Sequence, residues 1–208
     1  MCVDLRGNTA FEYELNKVQC INDQKSFSKL FDEELEAFSK GKLPADHVFR
    51  LGFPGIILLN AGFPAEKEIQ LKASILNSKE NRHLFDANDL KGLVDSIADP
   101  IAVFTYWDDK GRNIIVDITQ GDNNYLVGVQ FVDNEGNQLE ISSIRTIFPK
   151  NTANWLHWFE QGKGVYVNKK KLHSLITQQR TNLADVDHLD MESIDRIISK
   201  TSAVNVSG

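Results

Sequence analysis

Four β-rich runs, Ile101 to Trp107, Asn113 to Thr119, Tyr125 to Val132 and Gln138 to Phe148, follow one another with five residues between each pair. The connectors Asp108-Asp109-Lys110-Gly111-Arg112, Gln120-Gly121-Asp122-Asn123-Asn124 and Asp133-Asn134-Glu135-Gly136-Asn137 each combine Gly with Asp or Asn. These residues tolerate the positive φ of hairpin turns. Connectors this short make sequential strands antiparallel neighbours, so the pattern predicts a four-stranded antiparallel meander. In the third run Tyr125, Val127, Val129 and Phe131 fall on one face and Leu126, Gly128, Gln130 and Val132 on the other. One of those faces is expected to pack on the helices that come before it.

Those helices are read from a different period. Phe27, Leu30, Phe31, Leu35 and Phe38 recur at helical spacing between Ser26 and Lys40, and Gly41 and Pro44 supply the stop. Asp46 to Leu51 reads as a short extended segment, Gly55 to Ala61 as a short buried helix closed by Gly62, and Glu68 to Leu76 as a strand or a helix start. Asp86 is a suitable N-cap for a helix through Leu90, Leu93, Val94 and Ile97. After the meander come a helix over Asn151 to Gln161, a short strand at Gly164 to Val167, a short helix from Lys169 to Gln178, and a capped helix near Asp190 to Lys200. The expected architecture is α+β: N-terminal helices packed on a four-stranded antiparallel β-meander, followed by short helices. The chain divides into a leader and amphipathic helix (1–42), an α+β domain (43–180) and a C-terminal helix and tail (181–208). The first 25 residues lack clear periodicity and are read as a leader.

Composition narrows the function classes. At 208 residues, 41% apolar and 25% charged, the chain suits one sizeable core. The longest apolar run, Gly55 to Leu59, is far short of a membrane span, and the N-terminus has no basic and apolar signal pattern. A cytoplasmic protein with no membrane partner is the expectation. Cys2 and Cys20 support neither a disulfide framework nor a four-ligand zinc site; two free thiols are expected, with a single disulfide as the alternative. Phosphate-loop, dinucleotide, Gly-x-Ser-x-Gly and His-Glu-x-x-His signatures are all absent, so no cofactor and no metal are expected. Asp185, Asp187 and Asp190 resemble a calcium-loop start, but Asp190 and Arg196 stand where Gly and Glu are needed.

The formal charge of −6 is unevenly distributed. Between Gln138 and Arg180 seven basic residues face only Glu140 and Glu160, a net +5, which leaves −11 for the remainder. Such a segment suits a phosphate chain, although Lys169, Lys170 and Lys171 also fit a solubilising turn. The densest chemistry lies at the end of the fourth run. In a regular strand Ser143, Arg145 and Ile147 share one face and Ser142, Ile144, Thr146 and Phe148 the other. Hydroxyl and guanidinium groups there would orient a phosphate and stabilise its transition-state charge; an ordinary amphipathic strand is the plainer reading. Of the five histidines, His47 and His83 stand at the entries of structural elements and are the candidates for proton transfer. His157 is read as a packing or boundary residue, His173, after Lys169 to Lys171, as a phosphate contact or part of a solvated basic face, and His188 as a tail residue without a site role.

A series of spaced motifs resembles the phage MuF C-terminal domain family. They are Leu43 to Gly52, Pro54 to Gly62, Glu68 to Lys72, His83-Leu84-Phe85, Leu90 to Leu93, Asp99 to Phe104, Ile141 to Ile144, and Trp158 through Gly162 to Val167. The resemblance spans about residues 43–172. It implies an α+β domain of phage and mobile-element proteins, related to the nuclease folds of barnase, EndoU, the nuclease colicins and RelE. Related sequences carry a Tyr-Gly-Lys-like step where Arg145 to Lys150 reads Arg-Thr-Ile-Phe-Pro-Lys, which counts against a Tyr-based mechanism.

The expected function is therefore a phage- or mobile-element-derived RNase-like toxin domain that cleaves RNA without metal. In it His47, with His83 as a second candidate, would transfer protons, and Arg145 and Lys150 would hold the phosphate. Ser143, Thr146, Lys169, Lys170 and Lys171 would bind substrate. The alternative is a non-catalytic interaction module, with an immunity, phage or host protein as partner. Delivery with a phage or as part of a larger polypeptide fits both readings.

Overall fold

The structure, a computed structural model, describes residues 10–83, 86–106, 109–120, 123–179, 192 and 205–207. Helix α1 spans Ala10–Ser39. It starts sixteen residues before the periodic stripe, because Ala10, Glu12, Glu14, Leu15, Lys17 and Gln19 are helix formers that need no apolar period to continue a helix. Gly41, at φ 67°, ends it, with Lys42 N donating back to the Ala37 carbonyl at 2.9 Å. Strand β1 (Val48–Gly52), helix α2 (Ile56–Asn60), strand β2 (Ile69–Lys72) and helix α3 (Ala73–His83) follow. The segment read as strand or helix start is thus both in turn. α2 buries only Leu58 and leaves Ile56 62% exposed, so it is not the buried helix expected.

The helix anticipated after Asp86 is broken in two. Asp86 caps a single 3-10 turn, Ala87–Leu90, with Asp89 completing a capping box. Gly92, at φ 78°, then redirects the chain into α4, Leu93–Ala98. Strands β3 (Ala102–Tyr106), β4 (Gly111–Gln120), β5 (Asn123–Val132) and β6 (Gln138–Asn151) pair with one another in sequence, antiparallel. Helix α5 (Thr152–Glu160), strand β7 (Gly164–Asn168) and helix α6 (Lys169–Gln179) complete the body, and strand β8 (Asn205–Ser207) pairs with β7. Apart from Glu192, the helix expected near Asp190 to Lys200, His188 and the acids at 185, 187 and 190 lie outside the described residues.

A four-stranded antiparallel sheet was expected, and the sheet is larger and mixed. β1 to β7 stand in the order β1-β2-β6-β5-β4-β3-β7, with β8 at the outer edge of β7. β2 pairs with β6 in parallel, Ile69 opposite Ser142 and Leu71 opposite Ile144. This long-range pairing joins the β1–β2 hairpin to the meander, and no local turn signal announces it. The hairpin between β5 and β6 is set by Asp133, whose carboxylate accepts backbone N–H bonds from Glu135 and Asn137 and is held below its usual range chiefly by Asn137.

Each sheet face carries its own core. Phe31 and Leu35 of α1, Leu76 of α3 and Leu93, Val94 and Ile97 of α4 pack on Phe49, Leu71, Val103, Ile114, Val127, Val129, Ile144 and Ile147. On the reverse face Trp155, Leu156 and Phe159 of α5 and Leu172, Leu175 and Ile176 of α6 cover Ala102, Phe104, Ile115, Leu126 and Val167. This second core draws its sheet residues from β3, β4, β5 and β7, with Phe148 at its rim. β1 and β2 contribute nothing to it, and that half of the reverse face carries polar side chains instead. Among the described residues no helix is long and apolar enough to cross a membrane.

Candidate nucleic-acid interface

Alternation builds the polar half-face strand by strand. Arg50 lies between Phe49 and Leu51, and Gln70 between Ile69 and Leu71; those four apolar residues belong to the core beneath α1, so Arg50 and Gln70 project from the reverse face. Arg50 stands opposite Gln70 across β1–β2, Gln70 opposite Ser143 across β2–β6, and Ser143 opposite Gln130 across β6–β5. Three strand spacings make this a polar row about 14 Å long.

A β-bulge in β6 brings Thr146 onto the same face. Val129 pairs with Ile144 and Gly128 with Thr146, so Arg145 is an extra residue with no partner on β5. Regular alternation would separate Ser143 from Thr146. With the bulge, Ser143 and Thr146 oppose Gln130 and Gly128, which are two apart on β5 and therefore on one face. Ile144 and Ile147 both enter the core beneath α1, and Arg145 is exposed. Gly128 permits the close approach: a Cβ there would lie 2.6 Å from Thr146 Cγ2 and 3.3 Å from Asn113 Oδ1. Asn113 is 9% exposed, and its Oδ1 has no hydrogen-bond partner among the described residues.

One carboxylate belongs to this face. Glu68, with its side chain only 9% exposed, receives Arg50 Nε at 2.8 and 3.0 Å, Arg50 Nη2 at 2.7 Å and Gln70 Nε2 at 2.7 Å. The pairing raises the Arg50 guanidinium further above its ordinary range, first through the hydrogen bond and then through the charge of Glu68. The Arg50 side chain is itself 60% exposed, so it can turn from Glu68 toward an incoming anion. A fixed carboxylate, the exposed Arg50 guanidinium and the hydroxyls of Ser143 and Thr146 thus share one face at one end of the sheet, with Arg145 exposed at the bulge between the two hydroxyl residues.

The other candidate residues are dispersed. Lys150 is about 17 Å further along β6 than Arg145, and its Nζ sits 5.1 Å from the centre of the Trp158 ring. Lys169, Lys170 and Lys171 begin α6 directly after β7, which is four strand spacings, about 19 Å, from β6. Lys171 bonds the Asp99 carbonyl at 2.6 Å and lies 3.0 and 3.5 Å from the Asp99 and Asp117 carboxylates. The +5 segment therefore does not form one patch. His47 is on the helix side of the sheet: its ring meets Phe49 edge to face at 4.8 Å, and Nε2 is 3.2 Å from Glu34 Oε2, out of line for a hydrogen bond. His83 ends α3, and its side chain lies outside the described residues. His157 contacts Glu160, and His173 is exposed on α6. Among the described residues no three His, Cys, Asp or Glu side chains are grouped as metal ligands.

Charge clusters and motifs in the sequence do not mark Arg50, Glu68, Gln70, Gln130 or Asn113 as a site. Their signal was nevertheless present in the polar positions of Phe49-Arg50-Leu51 and Glu68-Ile69-Gln70-Leu71, read at period two.

No curated protein and no solved structure matches the chain. The β1–β2 hairpin that supplies Arg50, Glu68 and Gln70 precedes the stretch on which a family model does match. Residues 74–174, from the first turn of α3 to the middle of α6, match the model described as the Phage MuF-C-terminal domain, and the family resemblance read from short motifs holds over that stretch.

Proposed function

We propose that the polar half-face binds RNA and cleaves its phosphodiester bonds without a metal. Arg50 and Arg145 hold the phosphate, Gln70, Ser143 and Thr146 orient it, and Glu68 takes the proton from the ribose 2′-hydroxyl. That oxygen attacks phosphorus, the P–O5′ bond breaks, the leaving oxygen is protonated from water, and a 2′,3′-cyclic phosphate results. The observation that carries this reading is the placement of Glu68 beside an exposed guanidinium on the same face as Ser143 and Thr146. Glu68 supplies the carboxylate that acts as the base, and the guanidinium groups supply the charge that the developing dianion needs. His47 enters as a packing residue on the α1 side of the sheet.

The test is incubation of the full chain with single-stranded RNA in excess chelator. RNA is expected to yield fragments with cyclic phosphate ends, and a DNA strand of the same sequence is expected to remain intact. A second reading, a protein-docking module, rests on Phe53 and Ile56, 50% and 62% exposed beside a cleft of about 180 Å³ between α1, α2 and α4. RNA that is neither bound nor cut would favour it over the first.

A further inference from the structure

Beyond the bulge, the reverse face of β6 changes character. Thr146, Phe148 and Lys150 follow at alternate positions, opposite Gly128, Leu126 and Asn124 of β5. Phe148 and Trp158 of α5 are both partly buried at the edge of the second core; the Trp158 ring meets Phe104 edge to face at 5.3 Å, and Lys150 covers it from 5.1 Å. Two partly open aromatic rings and a cation therefore continue the line that Ser143 and Thr146 begin. From Thr146 to Lys150 the strip is about 13 Å long.

We infer that this strip is a base-stacking subsite, and that the ligand of the face is a single-stranded polynucleotide rather than a duplex. The inference rests on the RNA-binding reading of the polar half-face and extends it along β6. Splayed bases stack on aromatic side chains while cations track the backbone, and a paired helix presents no open base face to such rings. Lys150 does not block the subsite. A cation over a partly exposed ring is held more weakly than a stacked base, so the ammonium moves to a phosphate as the base takes its place. Charge complementarity agrees, because Arg145 and Lys150 mark the two ends of the strip.

The experiment measures binding of a fluorescent 12-residue 2′-O-methyl RNA, which cannot be cleaved, alone and annealed to its complement. The full chain is expected to bind the single strand at least about tenfold more tightly than the duplex. Trp158→Ala is expected to weaken single-strand binding at least about fivefold, and Trp158→Phe, which keeps a ring, to stay within about twofold of wild type. Lys150→Ala, which removes a charge without opening the core, is expected to lower the salt dependence of binding by about one phosphate contact. Equal affinity for strand and duplex, or unchanged binding by both Trp158→Ala and Lys150→Ala, would overturn the inference while leaving the half-face reading intact. Binding of neither probe by wild type would remove both.

Discussion

Glu68→Gln is expected to slow RNA cleavage by about 10²–10⁴-fold while leaving the affinity for a non-cleavable RNA strand within about threefold of wild type. The substitution keeps the shape of the side chain and one acceptor for Arg50, and removes only the negative charge that takes up the proton. Arg50 loses an ion pair, but its guanidinium is largely in water, where such pairs contribute little to stability. The fold should therefore survive, and single-turnover rates beside anisotropy titrations separate chemistry from binding. An unchanged rate would take Glu68 out of the reaction. His47→Ala serves as the comparison: because its ring lies against Phe49 and Glu34, the expected loss is in stability.

Trp155→Ala is expected to destabilise the protein by about 3–5 kcal/mol, the usual range for truncating a wholly buried aromatic. Trp155 anchors α5 against Phe104 at 6.3 Å between ring centres and has no exposed surface. For a chain of this size each kcal/mol lowers the melting temperature by roughly 2–4 °C. Calorimetry should accordingly show a drop of about 6–20 °C. A drop under about 2 °C would mean that the second core does not hold α5 to the sheet, and the rim formed by Phe148 and Trp158 would lose its support.

Much of the fold is legible from side-chain period and turn chemistry. The runs that become β3 to β6 and their Gly-Asp/Asn connectors are local signals, as are the Trp155-Leu156-Phe159 stripe of α5 and the Asp86 cap. The parallel pairing of β2 with β6 is not, because it joins segments about seventy residues apart and depends on the α1-side core to bring them together. The candidate site was half legible for the same reason. Ser143, Arg145 and Thr146 stood out, but a strict period of two put Ser143 and Thr146 on opposite faces. Ile144 and Ile147, both apolar and three apart, already signal that the strand must bulge to bury both. Charge alone groups Lys169 to Lys171 with them, although about 19 Å of sheet lies between.

The proposed function requires that RNA meet the sheet at its polar half. The most direct measurement is an amide NMR titration of the full chain with the 2′-O-methyl strand. The largest shifts are expected on Arg50, Gln70, Gln130, Ser143, Arg145 and Thr146, with α1 and α2 little changed. Shifts concentrated on α1, α2 and Phe53, with β6 unmoved, would contradict it.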